Sequence, residues 1–295
     1  MHSLRCSSYG SLSKSIQNYH SVVMATLTMT TGIILAKRDW READRLYSVY
    51  TSDFGKLELI GRGARKPLAK LSPHLEFACV ADFLVVHGKT MDTLASVERR
   101  QAFPGIYQDY VKTLLLHQAL ILLDKSIRAR QKDSILFSFL HDWLIFLDTA
   151  PPLSHERAGF LFSVFALKLL SIFGHKPELT NCLSCTTPIG AGEYRWHALR
   201  GGVVCLPCTQ KEADQWFAAR EVDDDSLKLL RFALDNTFTD QLRPRLSGRV
   251  IASFHDCVES LLISHFPIIP AISLRAAMAS SNESFDKVEE RAEIL

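Results

Sequence analysis

The stretch Asp53-Phe-Gly-Lys-Leu-Glu-Leu-Ile-Gly-Arg-Gly-Ala-Arg-Lys-Pro-Leu-Ala-Lys70 predicts a turn, a short strand and a basic loop in succession. We expect the turn at Ser52–Gly55 and the strand at Lys56–Ile60, with Gly61 and Gly63 in the loop. Glycine adopts positive φ easily and lets the backbone approach a ligand closely. From the start of the strand to Lys70 there are five basic residues and one acid. The stretch therefore predicts a basic loop on a β scaffold, suited to a polyanion, with a solvated hairpin loop as the alternative.

Four neighbouring segments have the composition of β-strands. They are rich in branched and aromatic residues and are separated by polar or glycine-containing turns. Five short strands within about 70 residues, without a strong helix signal between them, indicate a small barrel of the size of an OB-fold. The four segments are residues 30–38, Arg45–Thr51, Phe77–Val86 and the strand around Asp92–Glu98.

Aromatic residues in this region suggest how such a barrel could bind a ligand. OB-fold barrels often hold single-stranded nucleic acid by combining a cationic groove with aromatic platforms on which bases stack. The alternative for each ring is a place in the barrel interior. The candidate platforms are Trp40, Tyr47, Tyr50 and Phe54.

From about Phe103 the apolar period changes to three or four residues, which indicates amphipathic helices. The first two are expected at Tyr107–Ile127 and Ser134–Leu147. Ser154 is a suitable N-cap for a third helix, and Gly174 is a suitable residue to end it. Most aromatic side chains in these helices are expected in the core. Two further helices are expected at about Leu227–Phe238 and in the segment that ends near Phe266.

The most specific local motif is a pair of C-x-x-C sequences, Cys182-Leu-Ser-Cys185 and Cys205-Leu-Pro-Cys208, with nineteen residues between them. Two such pairs at this separation predict a tetrahedral four-cysteine zinc site. Four thiolates leave no open position for a substrate, so we expect one structural Zn²⁺ per chain. His197 is a competing candidate ligand, and a set of free cysteines is the alternative.

A second basic segment, Leu242-Arg-Pro-Arg-Leu-Ser-Gly-Arg249, contains three arginines and no acid. We expect it to open the last long helix and to offer a second patch of phosphate contacts. The acidic run Glu221–Ser226 has a simpler explanation, because acids near a helix N-terminus interact favourably with the helix dipole.

The composition sets limits on both fold and function. At 295 residues, the chain is long enough for about two domains. With 47% hydrophobic and 22% charged residues it resembles an ordinary globular protein. A net charge of +2 does not predict nucleic-acid binding, so that hypothesis depends on where the charges lie. No apolar run reaches the roughly 20 residues that a membrane-spanning helix requires.

Cysteine usage and missing motifs narrow the function further. Seven cysteines, four of them in C-x-x-C pairs, favour a reducing compartment and a bound metal over a disulfide framework. The sequence contains no Walker-type phosphate loop, no G-x-S-x-G and no H-E-x-x-H. We therefore expect a protein that is not an enzyme.

The order of several motifs resembles the bacterial recombination mediator family RecO, over roughly residues 28 to 265. An N-terminal extension departs from the family pattern, and Trp40 stands where the family often has a tyrosine. The motifs that carry the resemblance are Thr31-Gly-Ile-Ile-Leu35, Arg41-Glu-Ala-Asp-Arg-Leu46, Phe54-Gly-Lys-Leu57, Arg62-Gly-Ala-Arg-Lys66, Phe173-Gly-His-Lys-Pro-Glu-Leu179 and Leu246-Ser-Gly-Arg249.

The resemblance implies an α+β fold in which a five-stranded OB-fold barrel precedes an α-helical domain with an embedded four-cysteine zinc finger. On this basis we expect the barrel at residues 28–101 and the helical domain at 102–278, including a zinc module at 178–210. Residues 1–27 are expected to be a disordered or misassigned extension. Residues 279–295 are expected to be a polar tail.

The resemblance also implies a function in DNA repair and homologous recombination. Family members bind single- and double-stranded DNA, anneal complementary strands and act with RecR to load RecA onto DNA coated by single-strand-binding protein, SSB. A bacterial cytoplasmic location at the nucleoid follows from this role. The expected phosphate contacts are Lys37, Arg38, Arg41, Arg45, Lys56, Arg62, Arg65, Lys66, Lys70, Arg243, Arg245 and Arg249.

Two alternative functions remain open from the sequence. One is a protein-interaction adaptor whose helical body binds RecR or the acidic tail of SSB, with DNA contact secondary. The other is a zinc-dependent hydrolase or deaminase, which would need an open position on the metal.

Overall fold

The computed structural model of the chain describes residues 26–66, 75–77, 79–245 and 247–266. The predictions for residues 1–25, for Lys70 and for residues 267–295 lie outside these ranges. In the described part, an N-terminal barrel is followed by helices, with a two-stranded hairpin between the fourth and fifth helices. The barrel strands are β1 (Leu27–Asp39), β2 (Arg45–Thr51), β3 (Gly55–Gly61), β4 (Cys79–Val86) and β5 (Asp92–Ala102).

The five strands form a closed barrel in the order β1-β2-β3-β5-β4. Strand β1 is long because its first half pairs with β4 and its second half with β2. A short parallel pairing of β3 with β5 closes the sheet, and the other neighbours are antiparallel. This is the strand order of the OB-fold, so the predicted α+β class and five-stranded barrel are confirmed.

The interior of the barrel explains one glycine of the opening stretch. A Cβ atom on Gly61 would lie 2.7 Å from Cε2 of Tyr47, so the glycine makes room for that ring. The backbone φ of Gly61 is not positive, and the prediction of a positive φ is correct only for Gly63, at +66°. The interior residues include Ile34, Tyr47, Val49, Leu59, Phe83 and Val85.

Strand β2 is buried on both faces, because its outer face packs against the helices. The Tyr50 ring belongs to the core of the helical domain, and its hydroxyl donates a hydrogen bond of 3.1 Å to the carbonyl oxygen of Asp133. Tyr47 and Tyr50 are 1% and 0% exposed. The interpretation of these two rings as base-stacking platforms is therefore wrong.

The helical domain contains most of the predicted helices with shifted ends. The expected helix Tyr107–Ile127 is divided, because the Asp109 carboxylate accepts from the amides of Val111 and Lys112 and so starts a new helix. The helices are α1 (Pro104–Tyr107), α2 (Tyr110–Ser126), α3 (Ser134–Thr149), α4 (His155–Ile172), α5 (Leu206–Lys211), α6 (Asp224–Asp235) and α7 (Gly248–His265).

Helix α4 is the centre of this domain. Ser154 caps its N-terminus by accepting a hydrogen bond from the Arg157 amide, and Gly174 follows its end with φ +87°, as expected. Helices α2, α6 and α7 pack around it. Although α4 is largely apolar, none of the described helices is long and apolar enough to cross a membrane. Phe165 of α4 packs against Phe139 and Trp143, and Phe146 and Phe238 complete this aromatic cluster.

The hairpin between α4 and α5 consists of β6 (Tyr194–His197) and β7 (Gly202–Cys205). One of its faces joins the helical core. There the Tyr194 hydroxyl donates to Asp224 at 2.7 Å, and the Trp196 indole donates to Ser260 at 3.1 Å. The opposite face has a small core of its own, formed by Cys182, Val204 and Trp216.

Two glycines with the same backbone conformation allow a test of how the barrel meets the helices. Gly55 has φ +67°, and a Cβ there would lie 2.2 Å from the carbonyl oxygen of Gln131. Gly63 has nothing closer than Lys66 at 3.6 Å. We expect Gly63→Ala to lower the free energy of unfolding by about 1 kcal/mol through strain alone. Gly55→Ala should cost about 2 kcal/mol more, because it also separates the turn from the helical domain.

Urea unfolding of both variants measures this difference. Equal losses of stability would contradict the close contact between the β2–β3 turn and the loop that precedes α3.

Candidate nucleic-acid interface and metal centre

The basic loop packs against the β1–β2 hairpin at one end of the barrel. The amide of Gly63 donates to the Asp44 carboxylate at 2.8 Å, and the amide of Arg65 donates to the carbonyl of Ala43 at 3.1 Å. Ala64 is buried beneath the loop. These contacts hold the loop and the hairpin together as one surface, called here the cationic end.

Most of the predicted phosphate contacts in this region are exposed on the cationic end. Three of its arginines form ion pairs. Arg38 contacts Glu58 at 3.3 Å, while Arg45 and Arg65 both contact Asp39. Seven of the predicted bases lie on the β1–β2 hairpin and the basic loop, where Arg45 is half-buried and the others are exposed; they are Lys37, Arg38, Arg41, Arg45, Arg62, Arg65 and Lys66. The Lys37 ammonium lies 4.8 Å from the centre of the Phe77 ring.

Lys56 does not belong to this surface. Its ammonium contacts the Asp124 carboxylate at 2.8 Å, and the side chain is only 15% exposed. Asp124 lies in α2 and also accepts a hydrogen bond from Ser48 at 2.5 Å. Lys56 therefore faces the helical domain, where its ammonium is engaged by Asp124. The prediction that Lys56 contacts a phosphate is wrong.

The two remaining candidate rings have different surroundings. Trp40 lies at the turn of the cationic end and is 40% exposed. Phe54 is half-buried against the barrel core, with its ring edge-on to His87. Trp40 is therefore the predicted platform that lies among the exposed bases.

The second basic segment belongs to the helical domain. The Arg157 side chain donates to the carbonyls of Gln241 and Pro244 at 3.1 and 2.8 Å, which holds this segment at the start of α4. Most of the segment precedes α7, because Ser247 caps that helix and Gly248 is its first residue. The three predicted bases, Arg243, Arg245 and Arg249, are all exposed.

The four predicted metal ligands meet at one point. Their sulfur atoms all lie within 4.8 Å of one another, and Sγ of Cys185 is 3.8 Å from Sγ of Cys205. A tetrahedron of sulfurs around an ion at about 2.3 Å has edges of about 3.8 Å, so the arrangement fits a thiolate-bound metal. Among the described residues, no other group of cysteine, histidine and acidic side chains is clustered in this way.

Backbone hydrogen bonds prepare two of these thiols for metal binding. Burial opposes ionisation of Cys182, but the amides of Cys205, Cys185 and Ser184 outweigh it and hold the pKa of Cys182 below its ordinary value. Hydrogen bonds from Thr187 lower the pKa of Cys185 to about 6. Thiolates are the form that binds metal, so these two shifts favour occupancy. The other two thiols shift in the opposite direction, since burial raises the pKa of Cys205 to about 12 and the pKa of Cys208 is also raised.

His197 is not part of the cluster. Its Nδ1 accepts a hydrogen bond of 3.2 Å from the amide of Arg200, and its ring packs edge-on against Trp216. Burial also lowers the pKa of His197. The histidine therefore supports the hairpin and leaves the four sulfurs as the ligand set.

Several residues that support the sites were missed in the sequence. Glu212 accepts hydrogen bonds from Ser184 at 3.2 Å and from the Trp216 indole at 3.0 Å, so it connects the first C-x-x-C turn to the second. Asp39 and Asp44 organise the basic loop. Acidic residues at the turn between β1 and β2 were the available signal, but the partners of Asp44 and Asp39 lie 19 and 26 residues further along the chain, at Gly63 and Arg65.

The helical domain also carries a groove whose residues the sequence did not identify. It has a volume of about 370 Å³ and lies where α3 and α4 meet the segment after α6. Its floor is apolar, and Lys168 lies at its edge with Nζ 3.2 Å from the carbonyl oxygen of Leu234. Burial lowers the pKa of Lys168. The apolar lining consists of Phe139, Ile145, Phe146 and Phe238.

Together, these features define a class of protein in which an OB-fold barrel with a cationic end precedes a helical domain bearing a four-cysteine module. Two family models match this chain: "Recombination protein O N terminal" at residues 24–103 and "Recombination protein O C terminal" at residues 107–260. The chain belongs to the RecO family.

Its curated relatives agree with this assignment. A protein of Symbiobacterium thermophilum is 27% identical over 239 residues, covering 79% of this chain and 90% of the relative. One from Desulfitobacterium hafniense is 26% identical over 200 residues, covering 68% and 71%. One from Geobacter metallireducens is 30% identical over 182 residues, covering 61% and 72%. Each is named DNA repair protein RecO.

Proposed function

We propose that this protein is a DNA repair and homologous recombination mediator without enzymatic activity. It binds single- and double-stranded DNA, anneals complementary strands and acts with RecR to load RecA onto SSB-coated DNA in the bacterial cytoplasm, at the nucleoid. The single observation that carries the proposal is the cationic end of an OB-fold barrel in a member of the RecO family.

The chemistry of the cationic end suits a nucleic-acid backbone. Arginine and lysine side chains neutralise phosphates and release condensed counterions, which gives binding that is independent of sequence and sensitive to salt. Trp40 supplies a ring on which a base of a single strand can stack. Duplex DNA has no unstacked base, so we expect it to use the phosphate contacts alone.

The second basic segment extends the phosphate contacts onto the helical domain. Arg243 is paired with the nearby Asp240 at 3.2 Å, but its side chain remains largely exposed. A mediator that anneals strands has to hold two of them at once. Two separate cationic surfaces on one chain are consistent with that requirement.

The proposed DNA binding can be tested at the basic loop. The variant Arg62→Ala/Arg65→Ala/Lys66→Ala should bind single-stranded DNA at least about tenfold more weakly at moderate salt, because three phosphate contacts are lost. The slope of log K against log salt should fall by about two for a single strand. Fluorescence anisotropy with a labelled oligothymidine measures both quantities.

The matched control removes three positive charges from a surface outside the cationic end. Lys211, Arg220 and Lys228 are exposed on or beside the four-cysteine module and α6. Their triple alanine variant should bind nearly as tightly as wild type. Equal weakening in both triple variants would show that binding follows net charge alone and would remove the cationic end from the proposal.

We further propose that the four cysteines hold one structural zinc ion. Zinc favours four sulfur ligands in a tetrahedral arrangement, and such a closed site adds folding energy rather than chemistry. The ion would connect the turn at Cys182 and Cys185 to the end of β7 and the start of α5, which Glu212 already joins.

The zinc proposal predicts a change in metal content and in stability. Purified protein should contain one zinc per chain by elemental analysis, and Cys185→Ser should reduce this value strongly and lower the melting temperature. Cys257→Ala is the control, because Cys257 lies in α7 outside the cluster and its variant should keep the metal. A metal content unchanged by Cys185→Ser would contradict the proposed ligand set.

A second candidate function, binding of the acidic SSB tail, is favoured by the groove on the helical domain. The tail would place apolar side chains on the aromatic floor and direct a carboxylate towards Lys168 at the edge. Asp142 also lines the groove, so the attraction depends on the local position of Lys168 rather than on net charge. This function adds to DNA binding and uses a different surface.

The groove can be tested with a labelled peptide of the SSB tail. We expect Ile145→Asp to weaken peptide binding by about tenfold, because it places an acid in an apolar site that receives an acidic ligand. Ile263→Asp is the control, since Ile263 is an exposed isoleucine on α7 outside the groove. Equal peptide affinity for Ile145→Asp and wild type would exclude the groove as the binding site.

A further inference from the structure

One acidic residue of the cationic end contacts two of its arginines. Asp39 lies at the end of β1, where Oδ1 is 2.9 Å from Nε of Arg45 and Oδ2 is 3.2 Å from Nε of Arg65. Arg65 belongs to the basic loop, and Arg45 begins β2. The two oxygens of one carboxylate therefore hold together arginines from two elements of the barrel.

Asp39 contacts both arginines through the same guanidinium nitrogen, Nε. An arginine has five N–H donors in a fixed planar fork. A contact through Nε leaves donors on the terminal nitrogens for another anion. In Arg65, Nη1 also donates to the carbonyl oxygen of Arg41 at 3.4 Å, which leaves Nη2 for a phosphate. Asp39 thus restrains both guanidinium groups while each keeps terminal donors for a phosphate.

A second acid of the same surface makes a different contact. Glu58 is 3.3 Å from Arg38, and there the acid meets the terminal nitrogen Nη2. Glu58 therefore engages a terminal nitrogen of Arg38, whereas Asp39 engages the Nε atoms of its two arginines. Asp39 and Glu58 carry the same charge on the same surface, but only Asp39 joins two arginines through their Nε atoms.

We propose that Asp39 is a positioning residue that aligns Arg45 and Arg65 for the phosphate backbone of DNA. This inference rests on the proposed function of the cationic end. Preorganised guanidinium groups lose less side-chain freedom when they bind a phosphate. The alignment outweighs the repulsion between the Asp39 carboxylate and DNA.

The direction in which DNA affinity changes when Asp39 is removed distinguishes a positioning role from a purely electrostatic one. Removal of an acid from a polyanion-binding surface should strengthen binding if charge alone matters. We expect Asp39→Ala to weaken the binding of oligothymidine by about fivefold at moderate salt, because two guanidinium groups lose their orientation. Glu58→Ala, which removes the same charge, should bind as tightly as wild type or more tightly.

A double-mutant comparison distinguishes alignment from a loss of folding. In an Arg45→Ala/Arg65→Ala background there is nothing left to align, so the further change Asp39→Ala should not weaken binding. Weakening by the same factor in both backgrounds would overturn the positioning role, as would tighter or unchanged binding by Asp39→Ala alone. Wild-type protein that fails to bind oligothymidine would instead overturn the proposed function itself.

Discussion

The structure depends on the burial of strand β2 on both faces. Tyr47 fills the barrel, and Tyr50, three residues further along β2 and on the other face, enters the core of the helical domain. The contact is completed by Lys56 and Ser48, which both reach Asp124. Breaking the largely buried ion pair between Lys56 and Asp124 would leave an uncompensated charge. The contact therefore fixes the barrel against the helices, and it determines which side of the barrel stays exposed.

That constraint explains the character of the candidate DNA surface. The aromatic side chains of β2 are used in packing, so the cationic end consists mainly of bases, with Trp40 as its exposed ring. The acids between them have structural tasks, since Asp44 holds the loop and Asp39 joins two arginines. In the proposed function, such a surface would contact phosphates and would not read bases.

The elements with local signals could be predicted from the sequence, and the residues that depend on tertiary contacts could not. The strand Arg45–Thr51 and the cap at Ser154 have signals within a few positions, and the cysteine spacing specified the sulfur cluster. The error at Lys56 has a different origin, because its partner Asp124 is 68 residues further along the chain. The role of Gly61 could not be predicted for the same reason, because this glycine makes room for the ring of Tyr47 on another strand.

We propose that DNA binds at the cationic end of the barrel, where the amides of Gly63 and Arg65 hold the loop against the hairpin. Hydrogen exchange of the wild-type protein with and without a saturating oligothymidine tests it most directly. We expect slower amide exchange in residues 37–45 and 61–66 when DNA is bound. Protection confined to the helical domain, with these two segments unchanged, would contradict it.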